Sequence, residues 1–260
     1  MNRLSKLFKA KDKDLLNVYF TAGYPELNST ETIIRSLADA GADLIEVGVP
    51  YSDPMADGET IQKSSMKALQ NGMTLDTLFA QLSSARTYTE VPLVLMGYFN
   101  QVMQYGPDQF CKAAQEAGVD GLILPDLPVF EYEQEFRAIA EKYDLQVTFL
   151  ITPQTTDDRI KKIGALSTGF IYVVSSSSIT GSSSGISAEQ KAYFARIAAL
   201  DLPQPRLIGF GISDAESFRT ACEYANGAII GSAFIRALAG KQDVAEATAS
   251  FVNGVLEPVA

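Results

Sequence analysis

Residues 44–59, LIEVGVPYSDPMADGE, place three carboxyl groups where acid–base chemistry is expected. Glu46 lies inside an apolar run typical of a buried strand, and Asp53 and Asp57 follow among Pro, Gly and small residues. A carboxyl group among apolar neighbours has a raised pKa, because desolvation disfavours its charged form. It can then hold a proton near neutral pH and deliver it. The stretch predicts either a proton-carrying Glu46 or a structural one satisfied by backbone N–H groups.

Asp57 lies in the loop after this strand, and two interpretations of it stay open. With Glu46 it forms a pair of carboxyl groups in different environments, the arrangement that separates an acid from a base. Alternatively, it caps a helix that begins near Gly58 or Thr60, a position that Asp favours. Asp53 is predicted to be a turn residue or a contact for another surface.

The elements that must position these groups are eight apolar runs of strand length, separated by segments with helical period. Runs that are apolar on both faces are typical of parallel strands covered by helices. One helical segment spans residues 28–40, with Asn28 as its predicted N-cap. Its Ile33, Ile34 and Leu37 share one face. The predicted strands are residues 16–23, 43–50, 92–98, 120–126, 145–152, 169–175, 205–211 and 227–232.

This alternation predicts an α/β fold, a single (β/α)8 TIM barrel that spans residues 1–260 as one domain. Residues 1–12 are predicted to form an extra helix before the first strand. An open doubly wound sheet is the alternative, but neither GxGxxG nor GxxxxGK[ST] occurs to support it. In a barrel, the chemistry lies at the carboxyl ends of the strands and in the loops that follow them.

Side-chain alternation along the second predicted strand determines which way the Glu46 side chain points. If Ile45 and Val47 face the surrounding helices, then Leu44, Glu46 and Gly48 face the barrel interior. The proton-carrying interpretation of Glu46 requires this direction.

Composition excludes several classes of protein. The chain has 260 residues, is 47% hydrophobic and carries a formal charge of −10, so neither nucleic acid nor an anionic membrane is an expected partner. Two cysteines without a CxxC motif, and no apolar leader, predict a soluble cytoplasmic protein. No histidine is present, which removes imidazole catalysis and most zinc sites, so no metal is predicted. No lysine follows a strand, which disfavours a Schiff-base aldolase.

Small residues after the last three predicted strands suit a phosphorylated ligand. Gly211 and Gly231 allow close backbone approach, and Ser232 opens a helix whose N–H groups face an anion. Tight turns alone are the other interpretation of these glycines. The serine-rich residues 175–187 are predicted to form a mobile lid over a ligand, or else a disordered surface loop.

Residues 46–58 resemble the signature of the tryptophan synthase alpha chain family, E-x-G-x-P-[FY]-S-D-P-x-A-D-G. The family is a (β/α)8 barrel that splits indole-3-glycerol phosphate into indole and glyceraldehyde 3-phosphate. The resemblance implies that fold and a carbon–carbon lyase of tryptophan biosynthesis. Six further motifs match in order and spacing: FTAGYP (20–25), MGYFN (96–100), PDLP (125–128), YVVSSSSITG (172–181), GFGIS (209–213) and GSAFI (231–235).

The resemblance also implies roles for individual residues. Glu46 corresponds to the catalytic acid and base, and Asp57 to the carboxylate that binds the indole N–H. Tyr98 and Ile123, at the predicted barrel mouth, are expected to hold the indole ring. The other implied contacts are Tyr172, Tyr19 and Thr180 for the substrate, and Gly181, Gly211, Gly231 and Ser232 for its phosphate.

The family works in complex with a beta chain that carries pyridoxal phosphate, so this chain is expected to need no cofactor of its own. The resemblance implies an α2β2 complex in which residues 53–57 and 175–185 face the beta chain. Two other functions stay open. Another phosphosugar isomerase or aldolase on the same barrel would need a catalytic Lys or Asp at other strand ends. A non-catalytic, partner-activating paralogue would lack Glu46 or Asp57, and both are present.

Overall fold

Eight short strands form a closed parallel barrel in the computed structural model, which describes residues 2–175 and 186–257. Each strand pairs with the next in chain order, and the first pairs with the eighth. This closure confirms the predicted barrel and rules out the open doubly wound sheet. The strands are β1 Leu15–Thr21, β2 Leu44–Gly48, β3 Leu93–Met96, β4 Gly121–Ile123, β5 Gln146–Ile151, β6 Ile171–Val174, β7 Arg206–Gly209 and β8 Gly227–Ile230.

Helices cover the outside of the barrel and bury the outward apolar side chains of the strands. The described helices are α1 Arg3–Ala10, α2 Ser29–Ala40, α3 Glu59–Gln70, α4 Leu75–Ala85, α5 Phe99–Tyr105, α6 Pro107–Glu116, α7 Val129–Glu131, α8 Arg137–Lys142, α9 Asp157–Leu166, α10 Ala188–Ala199, α11 Ala215–Cys222, α12 Ser232–Leu238 and α13 Val244–Leu256, with a π-helical turn Tyr132–Phe136 between α7 and α8. Within the two described ranges, no helix combines the length and the apolar character that crossing a membrane requires.

The predicted apolar face of α2 is confirmed, but its predicted cap is not formed as expected. Ile33, Ile34 and Leu37 are fully buried. Asn28 occupies the N-cap position, yet its side chain makes no capping hydrogen bond. The helix is therefore held by burial of its apolar face, since an uncapped terminus adds little stability.

The predicted extra helix α1 closes the N-terminal end of the barrel. The Asn2 side chain accepts a hydrogen bond from the Ser5 backbone N–H at 3.1 Å and caps the helix. Leu4 is fully buried, and its Cδ2 lies 3.3 Å from the point that a Cβ on Gly121 would occupy. Gly121 leaves the space in which Leu4 fits.

Asp120, just before β4, ties this closed end together. Its Oδ2 accepts hydrogen bonds from Arg86 Nη2 at 2.6 Å and from the Leu93 backbone N–H at 3.0 Å. Its Oδ1 accepts a hydrogen bond from the Arg3 backbone N–H at 3.2 Å. Burial lowers the pKa of Arg86 to about 10. One buried carboxylate thus links the first helix to the strands β3 and β4.

We expect Asp120→Ala to lower the free energy of unfolding by about 3–5 kcal/mol, because it leaves the buried Arg86 guanidinium unpaired. Urea unfolding followed by circular dichroism measures the change. Glu59→Ala is the matched control, since Glu59 pairs with Lys63 on an exposed helix surface. The control is expected to leave stability unchanged within error. Equal effects of the two substitutions would contradict the role of Asp120.

Candidate active site

Glu46 lies at the centre of β2 and faces the barrel interior, as side-chain alternation predicts. Its side chain is 2% exposed, and Oε2 accepts a hydrogen bond from Asn17 Nδ2 on β1 at 3.0 Å. Burial raises the pKa of Glu46 to about 8; the Asn17 bond lowers it, and the charge of Asp57 raises it further. The partner is a side-chain amide, not the backbone N–H groups of the structural interpretation.

Asp57 lies in the loop between β2 and α3, 3% exposed. Its Oδ2 accepts a hydrogen bond from the Tyr98 hydroxyl at 3.0 Å. Burial raises the pKa of Asp57 to about 6, and the Tyr98 bond opposes that rise. The capping interpretation is wrong, because the N-cap of α3 is Gly58 and no side chain caps it. No described residue donates a hydrogen bond to Asp57 Oδ1, although that atom is buried.

The two carboxyl groups therefore differ in protonation near neutral pH. Between about pH 6 and about pH 8, Asp57 is ionised while Glu46 holds its proton. Burial is the main cause for both groups, and Glu46 shifts further because it lies inside the barrel instead of in a loop. A pair of carboxyl groups with separated pKa values is the arrangement that assigns acid and base roles.

Two tyrosines form walls of the interior beside Glu46. Tyr19 is the register neighbour of Glu46 on β1, and Tyr172 lies on β6. A Cβ on Gly48 would collide with the Tyr19 hydroxyl, and one on Gly209 would collide with the Tyr172 hydroxyl. The two glycines therefore provide the space that the rings occupy. Burial raises the pKa of both tyrosines well above its usual value, so both stay neutral.

The structure gives Tyr98 and Ile123 different surroundings. The Tyr98 hydroxyl donates to Asp57 and accepts a hydrogen bond from the Ala56 backbone N–H at 2.9 Å, while its ring stacks on Tyr51 with centroids 5.0 Å apart. Ile123 is fully buried at the carboxyl end of β4. Tyr98 thus orients Asp57, and contact of either residue with an indole ring stays a prediction.

The predicted phosphate residues lie beyond the carboxyl ends of β7 and β8. Gly211 has φ of +78°, which favours glycine. Gly231 is the N-cap of α12, and Ser232 is its first residue. A Cβ on Gly231 would lie 3.3 Å from Tyr19 Cδ1, so this loop contacts the same ring that borders Glu46. Thr180, Gly181 and most of the predicted lid lie outside the described residues.

Sequence reasoning missed two polar features of the interior. Asn17 interrupts an apolar strand two residues before Tyr19, and that spacing signals a shared face with Tyr19. Thr21 and Ser64 are fully buried, with their hydroxyl oxygens 2.6 Å apart. No local signal joins those two, because they are brought together only by packing of α3 on the barrel.

Among the residues that the structure describes, no cluster of three or more Cys, Asp or Glu side chains is arranged to hold a metal.

Fold and site together define a (β/α)8 barrel whose interior holds two buried carboxyl groups. The chain belongs to the tryptophan synthase alpha chain family, whose model matches residues 5–256. This is a lyase family that cleaves indole-3-glycerol phosphate to indole and glyceraldehyde 3-phosphate in tryptophan biosynthesis. Its members work with a beta subunit, which carries the pyridoxal phosphate; the alpha chain has no cofactor of its own.

Relatives and solved structures agree across nearly the whole chain. The tryptophan synthase alpha chain of Flavobacterium johnsoniae is 56% identical over 92% of this chain and 94% of its own length. That of Christiangramia forsetii is 55% identical over 91% and 92%. The crystal structure of tryptophan synthase subunit alpha from Legionella pneumophila has a TM-score of 0.87 at 34% identity, covering 98% of this chain and 97% of that one.

We expect the stability of the protein to fall, relative to Glu46→Gln, as the pH rises from about 5 to about 8. The unfolded chain releases the Glu46 proton near pH 4 to 5, whereas the folded protein keeps it until about pH 8. Over that window the unfolded state binds fewer protons, so raising the pH favours unfolding. The difference in unfolding free energy between the two proteins should change by about 1.4 kcal/mol per pH unit. Urea unfolding at several pH values measures it, and a constant difference would contradict a raised pKa.

Proposed function

We propose that the carboxyl end of this barrel cleaves indole-3-glycerol phosphate, with Glu46 as the proton carrier and Asp57 as the carboxylate that stabilises the developing positive charge. The observation that supports this assignment is the pair of buried carboxyl groups, one protonated and one ionised near neutral pH. The direct test is to incubate the purified chain with indole-3-glycerol phosphate, with and without a tryptophan synthase beta chain, and to assay indole.

The proposed reaction uses the two proton states of Glu46 in turn. Protonated Glu46 gives its proton to C3 of the indole ring, the carbon that joins the glycerol chain. The carboxylate left behind takes the proton of the hydroxyl on the adjacent chain carbon. The C–C bond then breaks, and its electrons restore the indole ring while the chain carbon becomes an aldehyde. No proton is gained or lost overall, because Glu46 ends as it began.

Asp57 stabilises the charge that appears during this step. Protonation at C3 spreads positive charge toward the ring nitrogen, and a nearby carboxylate lowers the energy of that state. Asp57 Oδ1 is a buried acceptor to which no group in the described part of the chain donates. An indole N–H is a donor that fits it. The Tyr98 hydroxyl holds the other oxygen, Oδ2, and so sets the direction of Oδ1.

The proposal assigns the remaining predicted residues to substrate positioning. Tyr19, Tyr172, Tyr98 and Ile123 enclose the indole and the glycerol chain, supported by their burial around the strand ends. The phosphate lies against the backbone N–H groups of the loops after β7 and β8, where the helix dipole of α12 favours an anion. These contacts position the substrate and leave the chemistry to the carboxyl groups. The proposed phosphate contacts are Gly181, Gly211, Gly231 and Ser232, with Thr180 beside them on the substrate.

We propose that the partner is a tryptophan synthase beta chain in an α2β2 complex. Exposed apolar side chains follow three consecutive strands: Met55 after β2, Met103 after β3 and Phe130 after β4. Loops after neighbouring strands lie side by side on the rim of a barrel, so these residues share one side of the mouth. Met55 is 91% exposed and lies within the loop 53–57 that the family resemblance assigns to the partner.

We also propose that the protein is cytoplasmic and that residues 1–260 form a single domain. Two free, buried cysteines and a biosynthetic family favour a cytoplasmic protein. The closed barrel and the extent of the family match, residues 5–256, favour a single domain over residues 1–260.

Glu46→Gln is expected to lower the rate of indole release at least about a hundredfold, because glutamine cannot carry the proton. Gln keeps the size of Glu and can still accept from Asn17 Nδ2, so circular dichroism should show an unchanged fold. Indole assays of the two proteins at saturating substrate measure the loss. A variant that kept more than about a tenth of the activity would exclude Glu46 as proton carrier.

Asp57→Asn is expected to keep substrate affinity but to lose most of kcat, since an amide accepts a hydrogen bond without offsetting positive charge. Steady-state kinetics separate the two parameters. Tyr98→Phe is the matched control: it removes the bond to Asp57 but leaves the carboxylate, so its loss should be smaller. An unchanged kcat with a raised KM in Asp57→Asn would reduce the role of Asp57 to binding.

A further inference from the structure

We propose that Asn17 is a positioning residue for the reaction. It holds the Glu46 carboxyl group in place while that group loses its proton and takes one back. The inference rests on the proposed role of Glu46 as proton carrier. Asn17 acts through Glu46 and is not assigned a contact with substrate.

Geometry places Asn17 on the same inner face as the carboxyl group. Asn17 pairs in register with Leu44, and the next inward pair along the two strands is Tyr19 with Glu46. The Asn17 side chain therefore lies diagonal to Glu46, within reach across neighbouring strands. Its Nδ2 donates to Glu46 Oε2 at 3.0 Å, and both residues are buried.

Asn17 costs stability that an apolar residue would not. It is fully buried in the strand Leu15–Thr21, whose other side chains are mostly apolar. No donor within residues 2–175 or 186–257 reaches its Oδ1, which is also buried. An amide with one unsatisfied end is unfavourable in a barrel core. Within those ranges, the one hydrogen bond made by the Asn17 side chain is to Glu46, so its effect is concentrated on that group.

An amide suits a carboxyl group that changes its protonation state. The N–H of Asn17 donates to the ionised carboxylate and favours that form, which lowers the pKa of Glu46. When the carboxyl holds its proton, rotation of the amide turns Oδ1 toward the carboxyl O–H as an acceptor. The currently unpaired Oδ1 then has a partner. Either way Glu46 keeps a fixed rotamer while its proton leaves and returns.

In the described part of the chain, the titratable groups that face Glu46 are Asp57, Tyr19 and Tyr172. Asp57 approaches from the loop after β2, and its charge raises the pKa of Glu46. Tyr19 on β1 and Tyr172 on β6 interact with Glu46 but stay neutral, since burial raises the pKa of each. On β3, the register neighbour Val94 is apolar. Asp57 therefore accounts for the acid limb of a pH profile, and Glu46 for the alkaline limb.

The test compares Asn17→Leu with the unmodified protein and with Thr148→Val. Leucine has the same branched shape and the same number of side-chain heavy atoms as asparagine, and it removes both polar ends. We expect the alkaline limb of kcat/KM to move up by about one pH unit, because the ionised carboxylate loses its donor. We also expect kcat near neutral pH to fall about tenfold with KM little changed. Thr148→Val, another buried polar residue of the interior, whose hydroxyl bonds the Phe170 backbone N–H, should leave the limb in place.

A direct titration supplies a readout that does not depend on activity. In protein labelled with ¹³C at the glutamate carboxyl carbons, the Glu46 signal is the one missing from Glu46→Gln. Its midpoint should rise in Asn17→Leu and rise at least as far in Asn17→Asp, where a second carboxyl group faces Glu46. Asn17→Asp keeps the shape of the residue and carries the test if the leucine variant does not fold.

The outcomes separate the two proposals. If Glu46→Gln stays active, the proposed role of Glu46 fails. If Glu46→Gln is inactive while Asn17→Leu and Asn17→Asp leave both the alkaline limb and the carbon titration in place, only the inference about Asn17 fails. A limb that moves as far in Thr148→Val as in Asn17→Leu would also overturn it, because any loss of interior polarity would then suffice.

Discussion

Desolvation of one carboxyl group is the constraint on which the rest of the site depends. Glu46 lies in a barrel interior that holds it 98% away from solvent, and its pKa rises to about 8 for that reason. A buried charge is costly, so Glu46 keeps its proton at neutral pH. The hydrogen bond from Asn17 limits the rise. A group with no donor would hold its proton too firmly to act as both acid and base near neutral pH.

Around Glu46, a large side chain on one strand lies beside a glycine on the neighbouring strand. Tyr19 takes the space above Gly48, and Tyr172 takes the space above Gly209. Large and small side chains alternate around the barrel in this way because packing in a closed interior leaves little free volume. The tyrosines bring hydroxyl groups into the interior without bringing charge, since burial keeps them neutral. The polarity of the site therefore remains controlled by its two carboxyl groups.

The buried acids at the N-terminal end of the barrel and those of the candidate site have different hydrogen-bond partners. At the N-terminal end, Leu4 fills the interior, and Asp120 joins α1, β3 and β4 through a paired, fully hydrogen-bonded carboxylate. Glu46, at the centre of β2, and Asp57, in the loop beyond its carboxyl end, have no cationic partner among the described ion pairs. Each of these carboxyl groups accepts a hydrogen bond from a neutral side chain. Burial raises the pKa of both Glu46 and Asp57, and their neutral donors only partly oppose that rise.

The sequence by itself determined the barrel, the direction of Glu46 and the family, because strand and helix periods, side-chain alternation and a thirteen-residue motif are all local patterns. Residues 28–40 show the limit of local patterns. The apolar face of this helix was predicted correctly, but the predicted capping bond from Asn28 does not form, because packing holds the helix without it. Only the tertiary structure decided that Asp57 bonds Tyr98 instead of capping α3. It alone brought Asn17 of one strand onto Glu46 of the next. Both decisions depend on strand register and loop path, which join residues 29 and 41 positions apart and leave no short-range signal in the chain.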